Sequence, residues 1–311
     1  MQNKIFSTPE KLTYANVDQF IKMAYPIFDY QNKRLPNVIF DTTTTKKLDL
    51  LGSLLIYKFH EYTVHKKCFA KPTSKIEGYV KEELEKRLIK SLVDTFIRYK
   101  SPEYNKLRFI GTDNLFISPI LLNRESKEDE LANAGKDISN YYQKSEDIRF
   151  IVLTCMAEIA SNFKAHADED TESILSVTGT KDSFEIACVD TGVGIITSLS
   201  STFRNKGTKC PTSKILEKAL DRGVSSKNIE SGHMGYGLWM LKELVLAAKG
   251  EFRIYSEGFC VICHNGRIKF KSSHYWKGTI AYMKLPLSNA KKLKKNLRQT
   301  SSQNNIKIRK S

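Results

Sequence analysis

No stretch of about 18 consecutive apolar residues occurs in this sequence, so no segment reads as a membrane-spanning helix. The opening residues, Met1 to Phe6, lack the apolar core of a signal peptide. Cysteine is thinly used: six residues, at 68, 155, 188, 210, 260 and 263, are scattered through apparently regular elements. That usage suits reduced thiols in a cytoplasm better than a disulfide framework, and a cytoplasmic location is expected. There is no internal repeat and no long low-complexity segment. Acidic residues are missing beyond Glu257, where the chain carries thirteen Lys or Arg. Residues 1–257 hold 37 basic against 34 acidic groups, so the net charge of +16 belongs to the C-terminal end. Its densest part is Lys291, Lys292, Lys294 and Lys295, followed by Arg298 and the closing Lys307, Arg309 and Lys310. Residues 288–311 are therefore expected to be a basic tail without regular structure. Such a tail attracts nucleic acid, acidic proteins or anionic lipid. Without interleaved aromatics it reads equally as a solvated tail with no specific partner.

What is present points to a globular chain. A length of 311 residues suggests two domains, and 41% hydrophobic against 27% charged residues excludes a disordered chain. Residues 9–31 have room for a helix or two, with Pro26 as a break, and Asn37–Asp41 reads as a short buried strand before the Thr-rich turn Thr42–Thr45. Helical periodicity follows over 47–68, through Leu48, Leu51, Leu54, Leu55 and Phe59, and again over 80–99. Segments 107–110 and 115–117 look like strands, and the acid-rich stretch 124–137 like a linker or mobile helix. Residues 1–145 are accordingly predicted to form a small α/β domain.

Three short motifs follow in order. The first lies on an apolar helix over about 148–167, where Glu158, Asn162 and His166 recur every four residues and so share a face. A carboxylate and an amide beside the run Ile151–Met156 need something to satisfy them, and oxygen donors suit a hard cation such as Mg2+. Taken alone, this is no better than an amphipathic helix with its polar stripe in water. The second motif, Asp190, Gly192 and Gly194, follows the alternating strand 183–189. A buried carboxylate there can accept from an exocyclic amine and so select adenine over guanine, while the glycines let backbone approach a ligand. The third, Ser231 to Leu238 with Gly232, Gly235 and Gly237, opens a helix running to about Lys249 and stopped at Gly250. Free N–H groups and the positive dipole end make such a start a phosphate site. No strand leads directly into these glycines, which excludes a dinucleotide-binding fingerprint.

Together these motifs resemble the GHKL superfamily, the ATP-binding domains of gyrase, heat-shock chaperones, histidine kinases and MutL. Glu158 and Asn162 match its N box, Asp190 with Gly192 and Gly194 its G1 box, and Gly235 with Gly237 its G2 box. Lys277-Gly278-Thr279 and Leu285-Pro286 resemble its last strand, and 219–227 stands where the family keeps an ATP lid. Phe163 departs from the family's frequent alanine after the box asparagine. The resemblance covers residues 146–287 and implies a Bergerat-type α/β sandwich, a mixed sheet covered by helices on one face. It implies ATP and Mg2+ as cofactors, Asn162 as the Mg2+ ligand and Asp190 as the adenine contact, supported by Thr279. Phosphate contacts would come from Gly235, Tyr236, Gly237 and Leu238, and lid contacts from Ser226 and Lys227. Where the family member is an ATPase, Glu158 is the general base. The strand, turn and helix over 37–68 resemble the STAS-like modules sometimes joined to such ATPases.

Two other signals carry less. Cys260-Val-Ile-Cys263-His264 has the haem-attachment spacing, and with His274 a zinc-like set, but a strand-like setting makes packing the better reading. His60-Glu61 is similar to the start of a phosphoacceptor box without its proline. The function expected is a Mg-dependent ATPase or ATP-driven conformational switch acting on a protein partner, in a homodimer or alone. The alternatives are a histidine or serine protein kinase, and a non-catalytic nucleotide sensor regulating an effector in bacterial stress or phage defence.

Overall fold

The computed structural model describes residues 3–28, 37–65, 73–87, 89, 114–122, 128–166, 173–205, 207–225 and 235–302. Its first part runs β1 (Asn3–Ser7), β2 (Lys11–Leu12), α1 (Val17–Phe28), β3 (Asn37–Asp41), β4 (Lys47–Leu48), α2 (Leu50–His65), β5 (Thr73–Lys75) and α3 (Gly78–Lys86). Strands β1, β3 and β5 pair in parallel in that order, and β2 pairs with β4. Parallel neighbours need long crossovers, which the segments holding α1 and α2 supply.

The rest builds one seven-stranded sheet. Its strands are β6 (Leu115–Leu122), β7 (Ser173–Gly179), β8 (Ser183–Val189), β9 (Glu251–Ser256), β10 (Phe259–His264), β11 (Arg267–Ser272) and β12 (Thr279–Pro286). Their spatial order is β11-β10-β9-β12-β8-β7-β6, and every pair is antiparallel. The sequence pointed to a mixed sheet. Tight hairpins explain the difference: Glu257-Gly258 and Asn265-Gly266 both have positive φ at each residue, the backbone that two-residue hairpin loops need. Pro119 is tolerated because β6 is an edge strand, where the register with β7 shifts between Ile117 and Ile120.

Helices α4 (Glu128–Tyr141), α5 (Glu146–His166), α6 (Ile195–Asn205), α7 (Thr212–Lys218), α8 (Gly237–Ala248) and α9 (Ala290–Ser302) complete the described strands and α-helices. On α5, the buried Ile151, Val152, Cys155, Met156, Ile159, Ala160 and Phe163 form one helical face against the sheet. Strand alternation supplies the other side: Ile186 and Cys188 of β8, and Ala281, Met283 and Leu285 of β12, join the same core.

The opposite face is covered too, where a sandwich with helices on one side was expected. Ala187 and Val189 of β8, Tyr255 of β9, Cys260 of β10 and Ile280 and Tyr282 of β12 share a second core with α1, α2 and the small sheet. Helix α2 lies between the two sheets, and its positions 50–63 are all buried. The two expected domains therefore meet through a core, and β6, from the segment before residue 146, is part of the large sheet. The stretch expected to be an unstructured basic tail is helical over Ala290–Ser302 and packs on α5 and α8. Its Leu293 and Leu297 face inward, and Lys294 pairs with Glu146 at 2.7 Å and Asp147 at 2.8 Å. The strand expected over 107–110 lies outside the described residues. Among the described residues no helix is long and apolar enough to cross a membrane.

Candidate functional site

Asp190 follows the last residue of β8. Continuing that strand's alternation, it falls on the face of Ile186 and Cys188, the face that α5 crosses. It is buried, and its Oδ1 accepts from the Gly192 amide at 2.7 Å and the Thr279 amide at 3.2 Å. Both amides converge on one oxygen, so Oδ2 is the one they leave. The Asp190 amide itself donates to the Thr279 carbonyl at 2.9 Å. The support expected from Thr279 thus comes from its main chain. Burial pushes the Asp190 carboxyl up to about 6; the two amides, Lys58 and Lys277 pull the other way.

Gly278 is required beside it. Its φ is +90°, and a β-carbon there would lie 2.3 Å from Asp190 Oδ1 and 2.7 Å from the Gly192 nitrogen. Lys277 Nζ donates to the Thr191 carbonyl at 2.5 Å, and Trp276 Nε1 to the Asp190 carbonyl at 2.8 Å. The other rim of the loop is held by the β9–β10 turn. Ser256 Oγ accepts from the Ile195 amide at 2.9 Å, and Glu257 accepts from the Thr197 amide at 2.8 Å and from its hydroxyl. Gly194 lies against the Glu257 carboxylate, so a side chain has no room there. The Thr191 hydroxyl is buried without a hydrogen-bond partner.

The second cluster gathers on the same, helical side of the sheet. A β-carbon on Gly237 would meet Glu158 Oε2 at 2.4 Å and Asn162 Nδ2 at 3.4 Å. Glu158 and Asn162 therefore touch the start of α8, though 75 residues separate Asn162 from Gly237 in the chain. The side chain of Tyr236, which precedes that helix, does not cap it, and no acidic residue stands in its first turn. Glu158 Oε2, from α5, stands beside the first residue of that turn. Asn162 Nδ2 is buried and has no partner. Nδ2 is a donor, so an acceptor such as a phosphate oxygen would satisfy it, while the oxygen of the same amide and the Glu158 carboxylate are the atoms that suit a hard cation. Leu238 packs half-buried on the helical core. Gly235 accepts, through its carbonyl, from the Gly223 amide at 3.1 Å, which ties the expected lid to the third motif. Ser226 and Lys227 lie outside the described residues.

Some residues carried no signal in the sequence. Arg222 stacks its guanidinium over Tyr236 and Trp239, at 5.6 and 5.4 Å from the ring centroids. Trp276, Ser256 and Glu257 reach the Asp190 loop only through sheet register. The signals set aside resolve physically. Cys260 and Cys263 point to opposite faces of β10, one into each core, so they do not form a metal pair. Among the described residues no group of three or more His, Cys, Asp or Glu is placed to hold a metal. His60 is in the core of the first part, 1% exposed. Compared with family models, curated proteins and solved structures, the chain gives no match.

Proposed function

We propose that this chain is a Mg-dependent ATP-binding protein of GHKL type, acting as an ATPase or ATP-driven conformational switch. One observation carries the reading: a buried, amide-braced carboxylate, and an Asn162 Nδ2 without a partner beside the start of α8, occupy the same face of one sheet. In this reading Asp190 accepts the exocyclic amine of adenine through Oδ2, a contact guanine cannot make because its carbonyl would meet the carboxylate. The first amides of α8 and the glycine backbone at 235 and 237 hold the phosphates. Asn162 would ligate Mg2+ together with the phosphates, and the ion would offset charge on the phosphoryl group. Glu158, whose Oε2 lies against Gly237, takes the proton of the attacking water. Contact between 223 and 235 gives lid movement a route to the phosphate site.

The test is calorimetry of the full chain with Mg-ATP, with phosphate release in parallel. Wild type is expected to bind, and Asn162→Ala and Asp190→Asn to lose at least about tenfold in affinity, as for a lost hydrogen bond to a charged partner. Glu158→Ala is expected to keep binding and stop phosphate release. Binding by wild type that survives both Asn162→Ala and Asp190→Asn would exclude the site. Transfer of label to protein would mark a kinase, and binding with neither outcome a sensor.

A further inference from the structure

Of the two tryptophans, Trp276 is completely enclosed. It stands where the two parts of the molecule meet. Its Nε1–H donates to the Asp190 carbonyl at 2.8 Å in a buried bond. Its ring packs against α1, with Phe28 edge-on at 4.9 Å between centroids and Phe20 tilted at 6.3 Å. Phe28 lies in turn 4.8 Å from Tyr62 of α2. An aromatic file thus runs from α2 through α1 to the peptide that carries the candidate adenine-reading carboxylate.

Burial alone calls only for a large apolar side chain at this position. What the indole adds is a single N–H donor on an apolar body. That donor ends on the main-chain carbonyl of Asp190, whose amide is already fixed to the Thr279 carbonyl at 2.9 Å. The segment 276–279 therefore pins the Asp190 main chain at both its amide and its carbonyl. With the carbonyl released, the 190–191 peptide loses one of its anchors, and the Gly192 amide that holds Oδ1 can shift with it. The buried carbonyl would also lose its partner.

We infer that Trp276 is a positioning residue for Asp190 that sets the preference for adenine over guanine nucleotides, and that α1 holds it in place. The first part of the chain then takes part in nucleotide selection. This rests on the nucleotide reading given above for Asp190.

The experiment measures the affinities of the full chain for Mg-ATP and Mg-GTP by competition against a fluorescent nucleotide. Trp276→Phe keeps most of the ring volume and removes the donor. It is expected to weaken ATP about tenfold while GTP changes less than about twofold, so the ATP/GTP ratio collapses. Phe28→Leu, remote from the nucleotide, is expected to lower the ratio about two- to threefold by loosening the indole. In an Asp190→Asn background Trp276→Phe should leave the ratio where it was, because the carboxylate it positions is gone. Equal losses for both nucleotides, or an unchanged ratio in both single variants, would overturn the positioning role and leave the nucleotide reading standing. Should Trp276→Phe not fold, the Phe28→Leu ratio decides alone. A wild-type chain that binds no adenine nucleotide overturns both.

Discussion

At the scale of single residues, Asp190 asks for explanation, because burying a carboxylate works against the fold. Its acid strength in the native state is about 6, against 3.8 for the free side chain, with burial as the main cause. The folded value lies above the unfolded one, so the native state binds the proton more tightly. Stability is therefore lost as pH rises from about 4 through about 6, and the loss is complete above that, on the order of 3 kcal/mol. Asparagine keeps an oxygen for the Gly192 and Thr279 amides without the charge. Asp190→Asn is expected to stabilise the ligand-free protein by about 1–3 kcal/mol at pH 8, with the gain fading toward pH 4, while weakening ATP binding at least about tenfold. Urea unfolding at both pH values checks this; a variant less stable at pH 8 than wild type would show that the charge serves the fold. Asp190, Asn162 and Gly237 were legible because each sits in a short pattern of local spacing. Trp276 and Glu257 were not, because their partners lie 86 and 60 residues away and meet them only once β9, β12 and β8 are in register.

Helices show the same division between local pattern and packing. The periodicity over 47–68 announces α2, but its apolar residues run round the whole helix, the mark of an element buried on every side. What buries it, a sheet above and a sheet below, is not written in its own sequence. Helix α9 was missed because its charge hides a stripe: Ala290, Leu293 and Leu297 recur at helical spacing and are buried, while Lys291, Lys292, Lys295 and Arg298 are exposed. The two faces should respond differently. Leu293→Ala is expected to cost about 2–4 kcal/mol, as for a leucine removed from a core. Replacing Lys291, Lys292 and Lys295 together by Glu should change stability by less than about 1 kcal/mol, because those side chains are exposed and make no ion pair among the described residues. Urea midpoints of the two variants separate the faces, and a Leu293→Ala chain as stable as wild type would show that α9 is not docked in solution.

Across the whole molecule, the boundary drawn near residue 146 crosses the large sheet and one of the cores beside it. The large sheet has two cores, and one of them is completed by α1, α2 and the small parallel sheet. Cut away residues 1–145, and Ala187, Val189, Tyr255, Cys260, Ile280 and Tyr282 lose their cover, as does Trp276; strand β6 goes as well. Several large apolar side chains would then face water together, each worth about 1.5–3 kcal/mol of burial, against a total stability of about 5–15 kcal/mol for a typical protein. A fragment of residues 146–311 is therefore expected to aggregate or to keep helix and strand signals without fixed side-chain packing. The intact chain is expected to melt in one calorimetric transition, because breaking either part exposes the core they share. The measurement is calorimetry of the intact chain beside near-ultraviolet circular dichroism of the fragment. A soluble fragment with a sharp melt close to that of the intact protein would mean that the shared core contributes little. Nucleotide selection through Trp276 would then lose its physical route, because α1 could be removed without disturbing the Asp190 carbonyl.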